Sequence, residues 1–145
     1  AAVVDDALYV IGGCALRAGS DGRPVRTYLR HVWRYRAGRW TRLADLPAPN
    51  AAAASPAPVF GRAVFLAGGD DGTQVGRAPT AHVGFGRRVF RYDVAQDRWH
   101  DAGELPSEVP VTVPTAPWRD GVALVSGEVR PGVRTPHVTL LRAAD

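Results

Sequence analysis

The chain has 145 residues, 46% of them hydrophobic and 22% charged, a composition that suits one folded domain and excludes a disordered segment. Its formal charge of +4 comes from scattered arginines with no lysine, so it lacks the basic stripe that binds nucleic acid, and no apolar run reaches the ~20 residues that span a bilayer. The single cysteine, Cys14, excludes an internal disulfide and any multi-cysteine metal site.

The opening residues read as a strand rather than as a signal peptide. The first landmark is Ala7-Leu8-Tyr9-Val10-Ile11-Gly12-Gly13, an apolar run ending in a glycine doublet. A loop over residues 14–31 leads to an aromatic strand, Val32-Trp33-Arg34-Tyr35. Residues 36–39 turn the chain into Trp40, and Leu46-Pro47 ends the unit. The second unit repeats these marks, with strands expected at 51–54, 62–67, 88–93 and 98–102. Its doublet is Gly68-Gly69, its long loop covers 70–87, and residues 93–97 make a tight connection. The third unit carries Val122-Ala123-Leu124-Val125-Ser126-Gly127-Glu128, a loop over 128–136 and a final strand at 138–141. Trp40 and Trp99, like Leu46 and Leu105, stand 59 residues apart.

Aligned by their glycines, the three copies differ at one point: Glu128 stands where the others have a second glycine. Four short strands per unit, a Gly-Gly pair, a spaced Tyr and a Trp resemble a kelch β-propeller. The pattern predicts an all-β fold of about three four-stranded blades, at approximately 3–46, 47–105 and 106–145, from a ring of about 4–8 blades. The first unit is expected to lack its innermost strand, for about ten strands in all, so the chain reads as a piece of a longer protein whose remaining blades would be its partners. Tyr35, Trp40, Tyr92 and Trp99 are expected to pack between blades.

In such a blade the long loops open on one face, a shared mouth carrying Arg17, Asp21, Arg23, Asp70, Asp71, His82, Arg87, Glu128, Arg130 and Arg134. Pro131-Gly132 turns the chain back and can bring Arg134 near Glu128. That pair reads either as an acid/base group with a helper or as a salt bridge stiffening a loop. Asp70-Asp71-Gly72 is too sparse for a calcium cage, and the histidines show no ligand spacing, so no metal is expected.

The ten residues Ser126-Gly127-Glu128-Val129-Arg130-Pro131-Gly132-Val133-Arg134-Thr135 resemble the signature of the kelch-type N-acetylneuraminate mutarotases, or sialic acid epimerases. Gly68-Gly69-Asp70-Asp71-Gly72 and His82-Val83-Gly84-Phe85 resemble that family's cyclically permuted branch, although Gly86 stands where members often have a hydroxyl residue. The resemblance implies a six-bladed propeller that interconverts the anomers of a small anionic sugar without a cofactor, in a periplasmic or secreted protein. It implies Glu128 as the general acid/base and Arg134 as its assistant, with Arg130, Asp70, Asp71, His82 and Arg87 as candidate substrate-binding residues. His82 also reads as a group that braces its own loop. A non-enzymatic kelch module that binds protein or glycan is the second reading. A copper oxidase on kelch blades is disfavoured because no Tyr–His cluster accompanies Cys14.

Overall fold

The computed structural model describes residues 1–143 and is built of thirteen strands with one short 3-10 helix, Pro79–Ala81. Residues 144 and 145, assigned by sequence to the third unit, lie outside the described residues.

The first sheet joins β1 (Ala2–Val4), β2 (Ala7–Ile11), β5 (Val32–Arg36) and β6 (Arg39–Arg42) in antiparallel order. Alternation decides its two faces: Ala7 and Tyr9 are buried while Leu8 and Val10 are exposed. The first unit therefore has its innermost strand, contrary to the sequence expectation. Asp5, at φ 53°, turns the β-branched Val3-Val4 back onto β2. The expected loop at 14–31 is also largely a hairpin, β3 (Cys14–Ala18) paired with β4 (Pro24–Tyr28). Nearly every residue of this hairpin is exposed, so it has no buried face to leave an alternating pattern in the sequence.

The second sheet joins β7 (Val59–Phe60), β8 (Ala63–Ala67), β9 (Arg88–Asp93) and β10 (Arg98–Glu104). Its inner strand is not the alanine run at 51–54. Ala52 lies at φ 58°, which breaks an extended chain, and Ala51 makes only an isolated bridge to Asp70. Ala51 and Ala54 are buried, so the apolar run reflects burial between sheets rather than strand pairing. The tight connection at 93–97 is present: Asp93 Oδ1 accepts from the backbone N–H groups of Ala95 and Gln96.

The third sheet joins β11 (Thr115–Trp118), β12 (Gly121–Arg130) and β13 (Val133–Arg142). Residues 128–136, expected as a loop, are instead the tip of this long hairpin, with Glu128 opposite Arg134.

Two apolar seams hold the sheets together. Ala2, Val4, Ala7, Tyr9 and Val32 of the first sheet cluster with Val64, Leu66, Phe90, Tyr92 and Trp99 of the second. Trp99 Nε1–H donates to Ala44 O at 3.1 Å. Asp97 Oδ1 accepts from Ala44 N–H at 2.9 Å and from Tyr92 Oη–H at 2.7 Å. The second seam sets Ala67, Val89 and Phe65 against Val109, Val113, Leu124 and Leu141. Full burial of an aliphatic or aromatic side chain contributes about 1.5–3 kcal/mol, so these seams dominate the cohesion of neighbouring sheets. Tyr92 and Trp99 thus pack between sheets as expected. Tyr35 and Trp40 keep the same ring-to-ring spacing, 4.9 Å in both pairs, but remain exposed. Among the described residues no helix is long and apolar enough to cross a membrane.

Candidate functional site

The three central strands end in the same backbone conformation. Gly12 and Gly13 have φ of 63° and 116°, Gly68 and Gly69 have 64° and 102°, and Ser126 and Gly127 have 57° and 122°. In two of the three copies the second position demands glycine sterically as well, whereas Gly13 faces open space. A Cβ on Gly69 would collide with the Asn50 side chain, and one on Gly127 would collide with Val113. The conformational doublet of the third copy is therefore Ser126-Gly127. Glu128 does not replace a glycine, as the letter alignment suggests, but follows the doublet at the place of Cys14 and Asp70. Matching backbone bridges, Ala51 to Asp70 and Val111 to Glu128, confirm this register.

Glu128 is half-buried, and its Oε1 accepts from Gly132 N–H at 2.8 Å across the hairpin tip. Arg134 faces it in register, yet among the described residues the two form no ion pair; the anticipated salt bridge is absent. Both line a cavity of about 270 Å³ with the segment Val111, Thr112, Val113 and Pro114. Arg130 is exposed beside them, opposite Val133.

Asp70 starts the equivalent loop of the second sheet and is differently engaged. Its Oδ2 accepts from Tyr28 Oη–H at 2.6 Å, and its Oδ1 accepts from Gly72 N–H at 2.9 Å. Burial, followed by this bond to the Asp70 carboxylate, pushes the Tyr28 phenol up to about 12. Gly72, at φ 81°, lies against the Tyr28 ring, where a Cβ would not fit. Asp71 Oδ1 accepts from Thr73 N–H and Oγ1–H, so it braces its own turn. His82 is buried; its Nδ1 accepts from Gly84 N–H at 3.1 Å and its ring meets the Phe85 ring edge-on. Neutral His82 therefore carries its proton on Nε2. Arg87 pairs with Glu104 at 3.0 Å and donates to Pro106 O.

The candidate residues fall into neighbouring cavities. Asp70, Asp71 and Arg87 line one of about 730 Å³, together with Glu104, Glu108 and His137. Asp70 and His82 line another of about 220 Å³ with Arg26, Tyr28 and Arg77, closed by Pro131 from the tip of the third sheet. Glu128 and Arg134 share neither. Phe85 N–H donates to Val129 O at 2.9 Å, which fastens the 70–87 loop beside Glu128. Arg17 is exposed on the β3–β4 hairpin, where Asp21 and Arg23 pair at its turn, and these three line none of these cavities. Among the described residues no three His, Cys, Asp or Glu side chains are grouped as metal ligands.

The Kelch motif matches residues 1–47, the first sheet with its hairpin. The solved structure titled "Structure of YjhT" aligns with 96% of this chain at a TM-score of 0.69 and 19% identity. The chain has the fold of a partial kelch β-propeller. A curated relative named N-acetylneuraminate epimerase, from Salmonella arizonae, is 33% identical over 57 residues, which are 39% of this chain and 15% of the relative. The likeness to kelch-type N-acetylneuraminate epimerases seen in the sequence motifs is thus met by a relative of that name. The chain spans 49% of the matched structure's length.

On this scaffold the residues that escape sequence reasoning are those brought in from distant positions of the chain, most of them by a neighbouring unit. Tyr28 reaches Asp70 across 42 positions of sequence, and Glu104, Glu108 and His137 converge on the 730 Å³ cavity from separate strands and loops. The one legible signal is Gly72, whose glycine is required by the Tyr28 ring.

Proposed function

We propose that this chain contributes part of the mouth of an anomer-interconverting enzyme acting on N-acetylneuraminate by general acid/base catalysis. The observation that carries the reading is the Glu128 carboxylate, held at the end of the central strand of its sheet with Arg134 opposite it in one small cavity. A carboxylate fixed by a strand and a backbone N–H is positioned rather than floppy, which general acid/base catalysis requires. It accepts the anomeric hydroxyl proton as the ring C–O bond breaks. The protonated Glu128 carboxyl returns that proton to the ring oxygen, leaving an open-chain ketone. Reclosure on the opposite face of the carbonyl, with the proton transfers reversed, gives the other anomer. Arg134 carries a planar guanidinium suited to the carboxylate of an anionic sugar, with Arg130 beside it on the same hairpin. His82 and Asp71 brace the adjoining loop, and Arg87 and Asp70 line the neighbouring cavities. The curated relative's name supports this substrate class.

The test is anomer exchange of N-acetylneuraminate followed by NMR on the whole protein, with Glu128→Gln beside the parent. Exchange that needs the protein and is lost in the variant supports the reading. Exchange unchanged in the variant removes it, and saturable binding without exchange favours a kelch binding module instead.

A further inference from the structure

The cavity of about 220 Å³ is built from all three units, and it gathers positive charge that the protein itself does not neutralise. Arg26 and Tyr28 stand two apart on β4, so they share one face of the β3–β4 hairpin. Arg77 comes from the 70–87 loop of the second unit, and Pro131 closes the cavity from the tip of the third. Among the described residues neither Arg26 nor Arg77 enters an ion pair. Arg87, in the adjoining cavity, is by contrast taken by Glu104. Asp70 is the carboxylate of this lining, and both its oxygens are engaged, by Tyr28 Oη–H and by Gly72 N–H. Two guanidinium groups against one carboxylate leave the cavity a net positive charge.

His82 points to a ligand independently. Its side chain lines the same cavity and the residue is only 5% exposed. Its Nδ1 is occupied by Gly84 N–H, so the neutral ring keeps its proton on Nε2. Among the described residues that N–H has no acceptor, yet the one sealed side-chain atom without a partner is Arg34 Nε. His82 Nε2 therefore has open space before it, and the space its ring lines is this cavity. A buried donor without an acceptor is unfavourable, and an oxygen placed in the cavity removes that penalty.

The donors are held in advance of any ligand. Gln74 clamps the loop, its Nε2–H donating to Gly84 O and its Oε1 accepting from Val83 N–H. Arg77 N–H donates to Gln74 O at 3.1 Å, which fixes the backbone that carries the guanidinium. Such preorganisation lowers the entropy lost on binding. The volume lies below the ~300–1,000 Å³ of pockets that hold drug-sized ligands, so the cavity suits a small ion or a single charged group.

We propose that this cavity binds a small oxyanion, a carboxylate or a phosphate group, between the Arg26 and Arg77 guanidinium groups and the His82 Nε2–H. Guanidinium donors form charge-assisted bonds with both kinds of group. The site is separate from the Glu128 cavity, with which it shares no lining residue, and it stands whether or not Glu128 transfers protons. Its donors come from two units, so occupancy ties the β3–β4 hairpin to the 70–87 loop.

Calorimetric titration of the whole protein with inorganic phosphate and, separately, with acetate tests this, in chloride buffer at constant ionic strength. Saturable binding at roughly 1 mM or below is expected for at least one of the two anions, and the tighter one names the group. Arg26→Gln and Arg77→Gln, both at exposed positions, are each expected to weaken it at least ~10-fold, equivalent to about 1.4 kcal/mol. Thermal melting verifies that each variant stays folded. Arg17→Gln, on the same hairpin but outside the cavity, should change binding less than ~2-fold, since salt screens a distant exposed charge. In NMR the His82 Nε2–H resonance should move on saturation, and Glu128→Gln should bind as the parent does. No saturation at ten times that concentration overturns the proposal. Binding weakened as much by Arg17→Gln as by the cavity variants is a diffuse surface effect and overturns it too. Binding lost in Arg134→Gln but kept in both cavity variants sits beside Glu128 and overturns it equally.

Discussion

The second and third sheets end their central strands alike and then use the next residue differently. Both strands close on a pair of positive-φ residues, and both place a carboxylate immediately after it, Asp70 and Glu128. Asp70 is taken up from two sides, by the Tyr28 hydroxyl of the first unit and by Gly72 N–H. Among the described residues the Glu128 carboxylate is held from its own hairpin, by Gly132 N–H. A carboxylate satisfied by a neighbouring unit fastens that unit. One satisfied by its own tip keeps accepting capacity for something outside the protein. The repeat thus yields a brace in one unit and a candidate reactive group in the next, through a change in what the preceding unit brings to it.

The comparison is broken most severely at the carboxylates themselves. Glu128→Gln keeps the bond from Gly132 but removes proton transfer, and is expected to slow anomer exchange about 10²- to 10⁴-fold. Asp70→Asn, measured in the same NMR assay, should change exchange by no more than a few-fold while lowering the melting temperature; equal losses in the two variants would erase the distinction drawn between them. The next largest effect lies at the shared backbone. Gly127→Ala forces a side chain into φ 122° against Val113 and should cost roughly 1–3 kcal/mol in denaturant unfolding. Gly132→Ala, in open space at the tip, should cost only about 1 kcal/mol, from its positive φ alone.

Smaller effects sharpen the role of Tyr28. Tyr28→Phe leaves Asp70 Oδ2 without its donor and should lower stability by about 0.5–1.5 kcal/mol, with Glu128-dependent exchange intact. The last prediction is a titration. The Tyr28 phenol is raised to about 12 in the folded protein from its ordinary 10.0, so the stabilisation linked to its proton is complete below pH 10 and fades as pH climbs through 12. Ultraviolet difference titration at alkaline pH should detect two late-ionising tyrosines, Tyr28 and the Asp97-bonded Tyr92, of which only Tyr28 moves to lower pH in Asp70→Asn. An unmoved titration would mean that Asp70 does not hold the phenol proton.

Much of this fold is written in short-range chemistry. β-branched and aromatic residues mark β2, β5, β8 and β9; β2 alternates between a buried and an exposed face, whereas the inner β8 is buried on both. Where burial and pairing part company, the pattern misleads. The 51–54 alanines are buried without forming a strand, whereas the β3–β4 hairpin is paired without being buried. The doublet register is a similar case. Counting glycines aligns Gly127 with the first glycine of the other copies, but Ser126 takes up the positive φ of that place and shifts Glu128 by one position.

The sequence by itself determined the all-β repeat, the kelch relationship and the acidic residue at the end of the third central strand. These follow from side-chain alternation and glycine requirements, which act within a few residues of one another. Only the tertiary structure decided which carboxylate is engaged and which aromatic pair is covered. Tyr28 and Asp70, like Trp99 and Ala44, meet across sheets and are distant in the chain. Hydrogen bonding and burial depend on what a neighbouring sheet places within about 3 Å, and no local pattern encodes that distance.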